Sequence, residues 1–542
     1  MRKPTQAHLA GTAALFLLAA AIPATTVAVL PSEADALLAW KASLIDAAAL
    51  SSWTRATPVC DWHRVHCDNK SAVVELRLYR LGLSGGLDTL DTVAFPALAY
   101  LDLSINHLGG AIPASISRLR SLESLDLSNN GFNGSIPPQL GDMPNLLSLR
   151  LDNNSLVGAI PRQLCSLFSM KYLHMSNNQL SGGLQNCLCN LQNLLVIHLR
   201  NNRLTGELPD CWWNLQSMNL SNNSFSGEIP AAKANHNCSL FTLYLARNAF
   251  VGDVPLLLGC TWLVALDISS NRFNSSIPPQ LNDMRGLNDL RLHNNNLVGN
   301  IPHQLCRLIS ITVLDLSNNR LTGDLPDCWC NFQVLLFMDL SNNRLTGKLP
   351  DCWWSLEALL FMDLSNNYFS SKIPAPVANH NCSLRSLYLI NLSRNHLSCR
   401  IPQGIGSLSF LEILDLSSNQ LFGNIPQSIT RLSGLNTLNV SNNLLSGKIP
   451  TGNQIQTLTD PSIYSNNSGL CGFPLNISCT NTSLAPDERN GEQEDHWMYY
   501  CVIAGIVSGL WLWFGMLFTV KSWRCGFLSF VDGMQCKIMK KL

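Results

Sequence analysis

The sequence predicts an α/β-type repeat solenoid with short parallel strands on its concave face, disulfide-capped ends and one C-terminal transmembrane helix. Three observations support this prediction. The string LxxLxLxxNxLxGxIP recurs through most of the chain, and its asparagines, such as Asn106, Asn130 and Asn154, are usually 24 residues apart. Apolar segments lie near both termini. The chain has 19 cysteines, many more than is usual in a reducing compartment, which favours an oxidising one.

The charge balance excludes one class of partner. The 542 residues include 36 Lys plus Arg and 36 Asp plus Glu, and only 13% of the chain is charged. A chain without excess positive charge has no summed field to attract phosphate backbones, so we expect no nucleic-acid partner.

The N-terminus has the pattern of a secretory signal peptide. Arg2 and Lys3 precede an apolar run that begins at Leu9, and small residues follow it. A membrane anchor is the alternative, but the run is shorter than the roughly 20 apolar residues that a spanning helix needs. We therefore expect the repeats to be secreted.

The C-terminal apolar segment is long enough to cross a bilayer. Residues 498–520 contain no charged side chain, acidic residues precede them and basic residues follow. The positive-inside rule then places residues 521–542 in the cytosol and the repeats outside, although a buried core helix is the alternative. Gly505 and Gly509 have the GxxxG spacing that lets two membrane helices approach closely.

One repeat shows why the motif folds. In the copy around Asn130, Leu125 and Leu127 alternate with polar residues and so point inward from a short strand. The Asn130 amide can then pair with backbone groups that the turn would leave buried and unbonded. A single copy cannot bury its apolar side, but about 16 stacked copies form a continuous core and a long concave sheet.

The SNNxLxGxIP string is similar to the plant-specific leucine-rich repeats of receptor-like proteins and receptor-like kinases. Residues 33–68, with ALLAWKASL, resemble that family's N-terminal cap, and Leu470-Cys471-Gly472 resembles its C-terminal cap. The resemblance implies one disulfide in each cap, Cys60 with Cys67 and Cys471 with Cys479.

These features divide the chain into seven parts. They are a signal peptide (1–28), an N-terminal cap (33–70), the leucine-rich repeats (73–456), a C-terminal cap (457–484), an acidic juxtamembrane stalk (485–497), a transmembrane helix (498–520) and a cytosolic tail (521–542).

Several repeat cysteines stand 24 residues apart, at equivalent places on adjacent coils. Coils stack about 5 Å apart, which is within the Cα range of a disulfide. The candidate pairs are Cys165 with Cys189, Cys187 with Cys211, Cys306 with Cys330, Cys328 with Cys352 and, spaced differently, Cys238 with Cys260. Free buried thiols are the alternative.

Asn-x-Ser/Thr sequons are expected in a secreted glycoprotein, although an asparagine-rich repeat also creates them by accident. The candidate glycosylation sites are Asn69, Asn133, Asn219, Asn237, Asn381 and Asn476.

The predicted ligand face follows from the outward strand positions that depart from the usual Asp and Ser. Aromatic and arginine side chains on a concave face are typical binding anchors. A solvated sheet face is the alternative for many of them. The ten candidates are Arg150, Asp152, Tyr172, His174, His198, Arg200, Tyr244, Asp289, Arg291 and His293.

The resemblance implies a plasma-membrane receptor-like protein. It would bind an extracellular peptide, protein or pathogen-derived ligand and signal through a partner receptor kinase, with plant defence as the expected setting. We expect no catalytic residue, cofactor or metal. The alternatives are a developmental receptor-like protein, a wall-associated inhibitor of microbial enzymes, and a rearranged member that has lost its ligand.

Overall fold

The computed structural model describes residues 32–230, 238–255, 257, 259–375 and 386–479. The predicted signal peptide, the stalk (485–497), the membrane segment (498–520) with Gly505 and Gly509, and the tail (521–542) lie outside these residues. Within the described ranges, no helix is both long and apolar enough to cross a membrane.

The N-terminal cap closes the apolar end of the solenoid. Its helix, α1 (Glu33–Ser43), begins where the Ser32 hydroxyl accepts a hydrogen bond from the Asp35 amide at 3.1 Å. Trp40 and Trp53 are fully buried, and the Trp40 indole donates to the Gly86 carbonyl oxygen at 2.9 Å. The cap is thereby fixed to the first repeat.

A 17-stranded sheet forms the concave face. Its first two strands are antiparallel, and every later pair is parallel and in register, so the buried Leu125 lies beside Leu101 and Leu149. The strands are Val65–Cys67, Val73–Arg77, Tyr100–Asp102, Ser124–Asp126, Ser148–Arg150, Tyr172–His174, Val196–His198, Ser217–Asn219, Thr242–Tyr244, Ala265–Asp267, Asp289–Arg291, Val313–Asp315, Phe337–Asp339, Phe361–Asp363, Leu389–Asn391, Ile413–Asp415 and Thr437–Asn439.

A second set of strands follows each turn and pairs along one flank. They are Ser84–Gly85, His107–Ala111, Gly131–Ser135, Ser155–Ala159, Gln179–Gly183, Arg203–Gly206, Ser224–Gly227, Ala249–Gly252, Arg272–Phe273, Val298–Asn300, Arg320–Asp324, Arg344–Thr346, Ser370–Lys372, His396–Ser398, Phe422–Gly423, Leu444–Lys448 and Gly469–Cys471.

Short 3₁₀ helices carry the chain back to the next concave strand within the repeats, and others lie in the two caps. They are Ala48–Leu50, Val59–Asp61, Thr92–Ala94, Ala114–Arg118, Pro138–Asp142, Arg162–Ser166, Asn186–Asn190, Trp212–Asn214, Pro279–Asp283, His303–Arg307, Asp327–Asn331, Asp351–Ser355, Gln403–Ser407, Gln427–Arg431, Asn453–Thr457 and Pro461–Tyr464.

The predicted asparagine ladder is confirmed. The Asn130 amide nitrogen donates to the carbonyl oxygens of Leu103, Leu127 and Ser128 at 2.9, 3.2 and 3.1 Å, and its oxygen accepts from the Leu108 amide at 3.0 Å. The pattern continues to Asn467, inside the predicted C-terminal cap. Each asparagine therefore joins its own coil to the preceding one.

The residue before each ladder asparagine adopts a left-handed backbone conformation. Asn129, for example, has φ of 55°. Asparagine tolerates this conformation better than most residues, which gives the first Asn of the SNN string its own role. Ile105 occupies the same position with φ of 54°, where a β-branched side chain is strained.

Replacing Ile105 with Asn should therefore stabilise the solenoid by about 1 kcal/mol, because the strain falls and the side chain is 50% exposed. Thermal unfolding of the full chain measures the change. The control is Ile105→Val, which keeps the β-branch and should give no gain. Equal unfolding temperatures for the Asn and Val variants would contradict the argument.

Both cap disulfides implied by the resemblance are present, Cys60–Cys67 and Cys471–Cys479. The four predicted 24-residue pairs in the repeats are wrong. The observed bonds join residues 22 apart, at Cα separations of 5.3 to 5.8 Å. They are Cys165–Cys187, Cys189–Cys211, Cys306–Cys328 and Cys330–Cys352, and Cys238 does pair with Cys260 as proposed.

The 3₁₀ helices explain the difference. Cys165 is the fourth residue of its helix, and Cys187 is the second residue of the next helix. Equivalent residues on adjacent coils have nearly parallel Cα–Cβ bonds, whereas a disulfide requires Cβ atoms that converge. The two-residue offset turns the sulfurs toward each other.

Counting free thiols distinguishes the two pairings. The double variant Cys165→Ser/Cys187→Ser removes one observed bond completely and should contain as many free thiols as the wild type. The matched variant Cys165→Ser/Cys189→Ser breaks two bonds and should gain two thiols. Pairing at 24 residues would reverse these counts.

Candidate ligand-binding surface

The in-register sheet aligns outward side chains into rows that run across the strands. We define the central row as the last residue of each concave strand from Asp102 to Asn439. Its middle part contains Arg150, His174, His198, Tyr244 and Arg291. Residues that are far apart in sequence therefore become neighbours on the surface.

Four of the predicted side chains form a histidine cluster, defined by Arg150, Asp152, His174 and His198. The two imidazole rings meet edge to face at 4.8 Å. Nε2 of His198 lies 2.9 Å from the Ser217 hydroxyl. Oδ1 of Asp152 accepts from the Ser176 amide at 2.8 Å, whereas its Oδ2 is buried and has no hydrogen-bond partner among the described residues.

Burial controls the charge state of this cluster. It lowers the pKa of His174 to about 4, with Arg150 adding to the effect, and it lowers the pKa of His198, with His174 adding to the effect. Burial also raises the pKa of Asp152. Near neutral pH both imidazoles are uncharged, and the cluster offers hydrogen-bond donors and acceptors more than charge.

Five other predicted residues line a cleft of about 550 Å³ further along the concave face. They are Arg200, Tyr244, Asp289, Arg291 and His293, and the remaining walls are Asn201, Asn219, Ser221, Asn222, Ala246, Arg247, Asp267 and Ser269. Tyr172, the tenth predicted residue, is exposed on the strand that carries His174.

Ion pairs fix one wall of the cleft. Arg291 Nε lies 2.8 Å from Asp289 Oδ1, and His293 Nδ1 lies 2.9 Å from Asp315 Oδ2. Its contact with Asp315 raises the pKa of His293. Burial acts to raise the pKa of Asp315, but contacts with His293 and Ser317 lower it overall.

Another part of the cleft wall carries positive charge that is not neutralised. Within the described part of the chain, Arg200 and Arg247 form no ion pair. Guanidinium groups recognise carboxylates through paired hydrogen bonds, so this wall can hold an anionic group. Arg247 was not among the predicted residues, because these were the outward positions of the predicted strands and Arg247 stands at the turn that follows. An arginine in place of the first Asn of SNN was the available signal.

The described glycosylation candidates differ in surroundings. Asn69, Asn133 and Asn476 are exposed, whereas Asn219 is half-buried in the cleft wall, where its side-chain oxygen accepts from the Ser221 amide at 3.1 Å. A glycan on Asn219 would occupy the cleft. Asn237 and Asn381 lie outside the described residues.

Comparisons with known proteins agree with this architecture. Residues 30–68 match the family described as leucine rich repeat N-terminal domain, and residues 309–369 match a leucine rich repeat family. Shorter single-repeat matches cover 121–143, 169–191, 193–215, 214–235 and 410–432.

A solved structure extends the match across most of the solenoid. It is the plant peptide hormone receptor RGFR1 in complex with RGF2, with a TM-score of 0.65 and 30% identity over 72% of this chain and 69% of that one. The chain belongs to the plant leucine-rich-repeat receptor family. A TDR receptor is also similar, with a TM-score of 0.51 and 29% identity over 70% of this chain and 81% of that one.

Curated relatives match over shorter segments. A probable leucine-rich repeat receptor-like protein kinase of Arabidopsis thaliana is 36% identical over 88 residues, which is 15% of this chain and 8% of the relative. The receptor-like serine/threonine-protein kinase SKM1 of the same plant is 40% identical over 88 residues, 16% and 9% of the two chains. The aligned part is thus a small fraction of either kinase.

The second part of the receptor's central row is acidic and gives a pH prediction. Burial raises the pKa of Asp339 to about 6, with Asp315 and Asp363 adding to the effect. A raised carboxyl pKa contributes stability that is complete below the unfolded value near 4 and is lost as the pH rises through about 6.

Asp339→Asn should therefore stabilise the protein by about 1 kcal/mol at pH 7.5 and by nothing measurable at pH 4. Asn can replace Asp locally, because Asn391 accepts from the Ser393 amide just as Asp339 accepts from that of Ser341. Denaturant unfolding at the two pH values tests this. Asp102→Asn is the control and should give no gain in stability, since Asp102 neighbours Arg77. A loss of stability at pH 7.5 in Asp339→Asn would refute the prediction.

Proposed function

We propose that this receptor binds an extracellular peptide in the concave cleft and signals through a partner receptor kinase. The cleft carries the proposal, because it combines a fixed Asp289–Arg291 wall with the unneutralised guanidinium groups of Arg200 and Arg247. A peptide carboxylate, either terminal or from an acidic side chain, would satisfy those two groups.

The similarity to RGFR1 supports a peptide as the ligand, because that structure contains RGF2 and is described as a peptide hormone receptor. It also favours a hormone-type signal as the second candidate beside the expected role in defence. We also propose that the protein binds its ligand without catalysing a reaction, and that it lies at the plasma membrane with the repeats outside. These two proposals rest on the sequence and on the similarity to receptor-like kinases.

Ligand capture tests the cleft. The full chain is produced through a plant secretory route, immobilised and exposed to peptides secreted by plant tissue, and retained peptides are identified by mass spectrometry. Arg200→Gln combined with Arg247→Asn should lower recovery of the specific peptide by about tenfold, because both cationic partners of the carboxylate are lost.

Arg80→Asn is the matched control, since Arg80 and Arg247 both have φ of 55° after a concave strand but Arg80 lies outside the cleft. Equal recovery by wild type and the cleft variant would contradict ligand binding there. Capture of a microbial enzyme in place of a peptide would favour the inhibitor alternative, and capture of nothing would favour a receptor that has lost its ligand.

Co-precipitation from plant cell membranes tests the signalling partner. The tagged full chain should recover a receptor kinase, and Gly505→Leu combined with Gly509→Leu should reduce that recovery if the GxxxG spacing packs the two membrane helices together. Recovery of no kinase by a surface-located wild type would refute the signalling claim and leave ligand binding to be judged by capture alone.

A further inference from the structure

The last part of the concave face differs in chemistry from the rest. We define the apolar row as the first residues of five consecutive strands and the acidic row as the carboxylates two positions later. The apolar row is Val313, Phe337, Phe361, Leu389 and Ile413, and the acidic row is Asp315, Asp339, Asp363 and Asp415. The register places the two rows side by side, and Asn391 stands in the single gap of the acidic row.

The apolar row is half-buried, and the residues on its flank are exposed to solvent. The Phe337 and Phe361 rings stack at 4.4 Å, and the Tyr388 ring lies 6.3 Å from that of Phe361. Leu336, Leu360 and Tyr388 are 40%, 38% and 39% exposed beside them. The first strands of the solenoid have mainly Ser, Thr or Tyr in the same row. A contiguous apolar patch on an otherwise polar sheet is typical of an interaction surface.

Three members of the acidic row lack the arginine partners that some carboxylates have elsewhere on this face. Carboxylates in the earlier repeats pair with arginines, as in Arg77–Glu75 at 2.8 Å and Arg150–Asp126 at 3.3 Å. In the described residues, Asp339, Asp363 and Asp415 have no cationic partner. Each instead accepts from the backbone amide of the serine two positions later, at 2.9 Å. Asp363 also accepts from the Asn391 side-chain amide at 2.9 Å. The negative charge of all three is thus fixed in place without a cationic partner.

We propose that these two rows bind an extended peptide segment in which basic and apolar side chains alternate. The proposal deepens the proposed function, on which it rests, by naming the chemical class of ligand that this second part of the face accepts. Successive side chains of an extended chain point to opposite sides, so one side meets the apolar row and the other meets the carboxylates. Five strands span roughly 19 Å, which is the length of about six extended residues.

The charge on the acidic row selects this occupant over two others. Residues 485–497 of the same chain contain five acidic side chains against one arginine and one histidine, so the row repels them. A second copy of this surface would bring like-charged rows together. A cationic segment instead gains from both rows at once.

Fluorescence anisotropy of a labelled synthetic peptide tests the proposal on the isolated full chain, without ligand or kinase. The probe is an acetylated and amidated peptide of four Lys-Leu repeats. Its controls are the same composition in block order, Lys residues first, and a peptide of four Glu-Leu repeats. We expect saturable binding of the alternating Lys-Leu peptide at least about tenfold tighter than that of either control. Equal affinity for the block peptide would overturn the alternating geometry.

Variants locate the binding. Asp339→Asn combined with Asp363→Asn keeps side-chain size and the contacts with the Ser341 and Ser365 amides, although at residue 363 it removes the acceptor for Asn391. This variant should weaken the alternating peptide by about tenfold. Phe337→Ala combined with Phe361→Ala should weaken it similarly, with thermal unfolding run alongside to establish that the variant is folded. The control Asp102→Asn occupies the equivalent position in the early repeats and accepts from the Ser104 amide at the same 2.9 Å.

Unchanged affinity in the Asp339/Asp363 variant, or an equal loss in Asp102→Asn, would overturn the assignment. So would light scattering that shows a dimer in the wild type and a monomer in the Phe337/Phe361 variant, because the surface would then be a self-interface. Peptide capture by the cleft and recovery of a kinase are measured separately from the affinity for the Lys-Leu peptide. If the Lys-Leu peptide does not bind, the proposed function still stands. If capture or kinase recovery fails, the affinity for the Lys-Leu peptide can still be measured.

Discussion

The ladder of buried asparagine amides is the constraint on which the rest of the solenoid depends. Each amide nitrogen donates to carbonyl oxygens of its own coil and the preceding one, and each amide oxygen accepts from the preceding coil, as Asn130 shows. An unpaired buried polar group costs about 1 to 3 kcal/mol. A coil can therefore satisfy its turn only by stacking in one register, which fixes the spacing of the sheet.

That register separates stability from recognition. Because inward leucines and ladder asparagines determine how the coils stack, outward residues can change without altering the fold. Rows of such residues then become continuous surfaces, as the cleft around Tyr244 and the apolar row at Phe361 show. The concave face thus varies in chemistry along one uniform scaffold, and the same sheet can carry an arginine-lined cleft and a carboxylate row.

The sequence predicted the features that depend on a single repeat. Leucine periodicity determined the inward side of each strand, and the recurring asparagine predicted the ladder. The sequence-based prediction failed for contacts between residues at non-equivalent positions of two adjacent coils. Cys165 bonds to Cys187 and not to Cys189, because the 3₁₀ helices shift the partner by two residues. Arg247 in the cleft was missed because it stands at the turn, directly before the ladder residue Asn248, and not at an outward position of a predicted strand.

The acidic row shows why an energetic cost on a sheet face is informative. Neighbouring carboxylates at positions 315, 339 and 363 repel one another, and burial adds to the cost that raises the pKa of Asp339 to about 6. Asparagine performs the same local hydrogen bonding at residues 391 and 439, so the turn itself does not require the charge. Earlier repeats remove such a cost with arginines. Where it persists beside stacked aromatic rings, the proposed cationic segment would offset it.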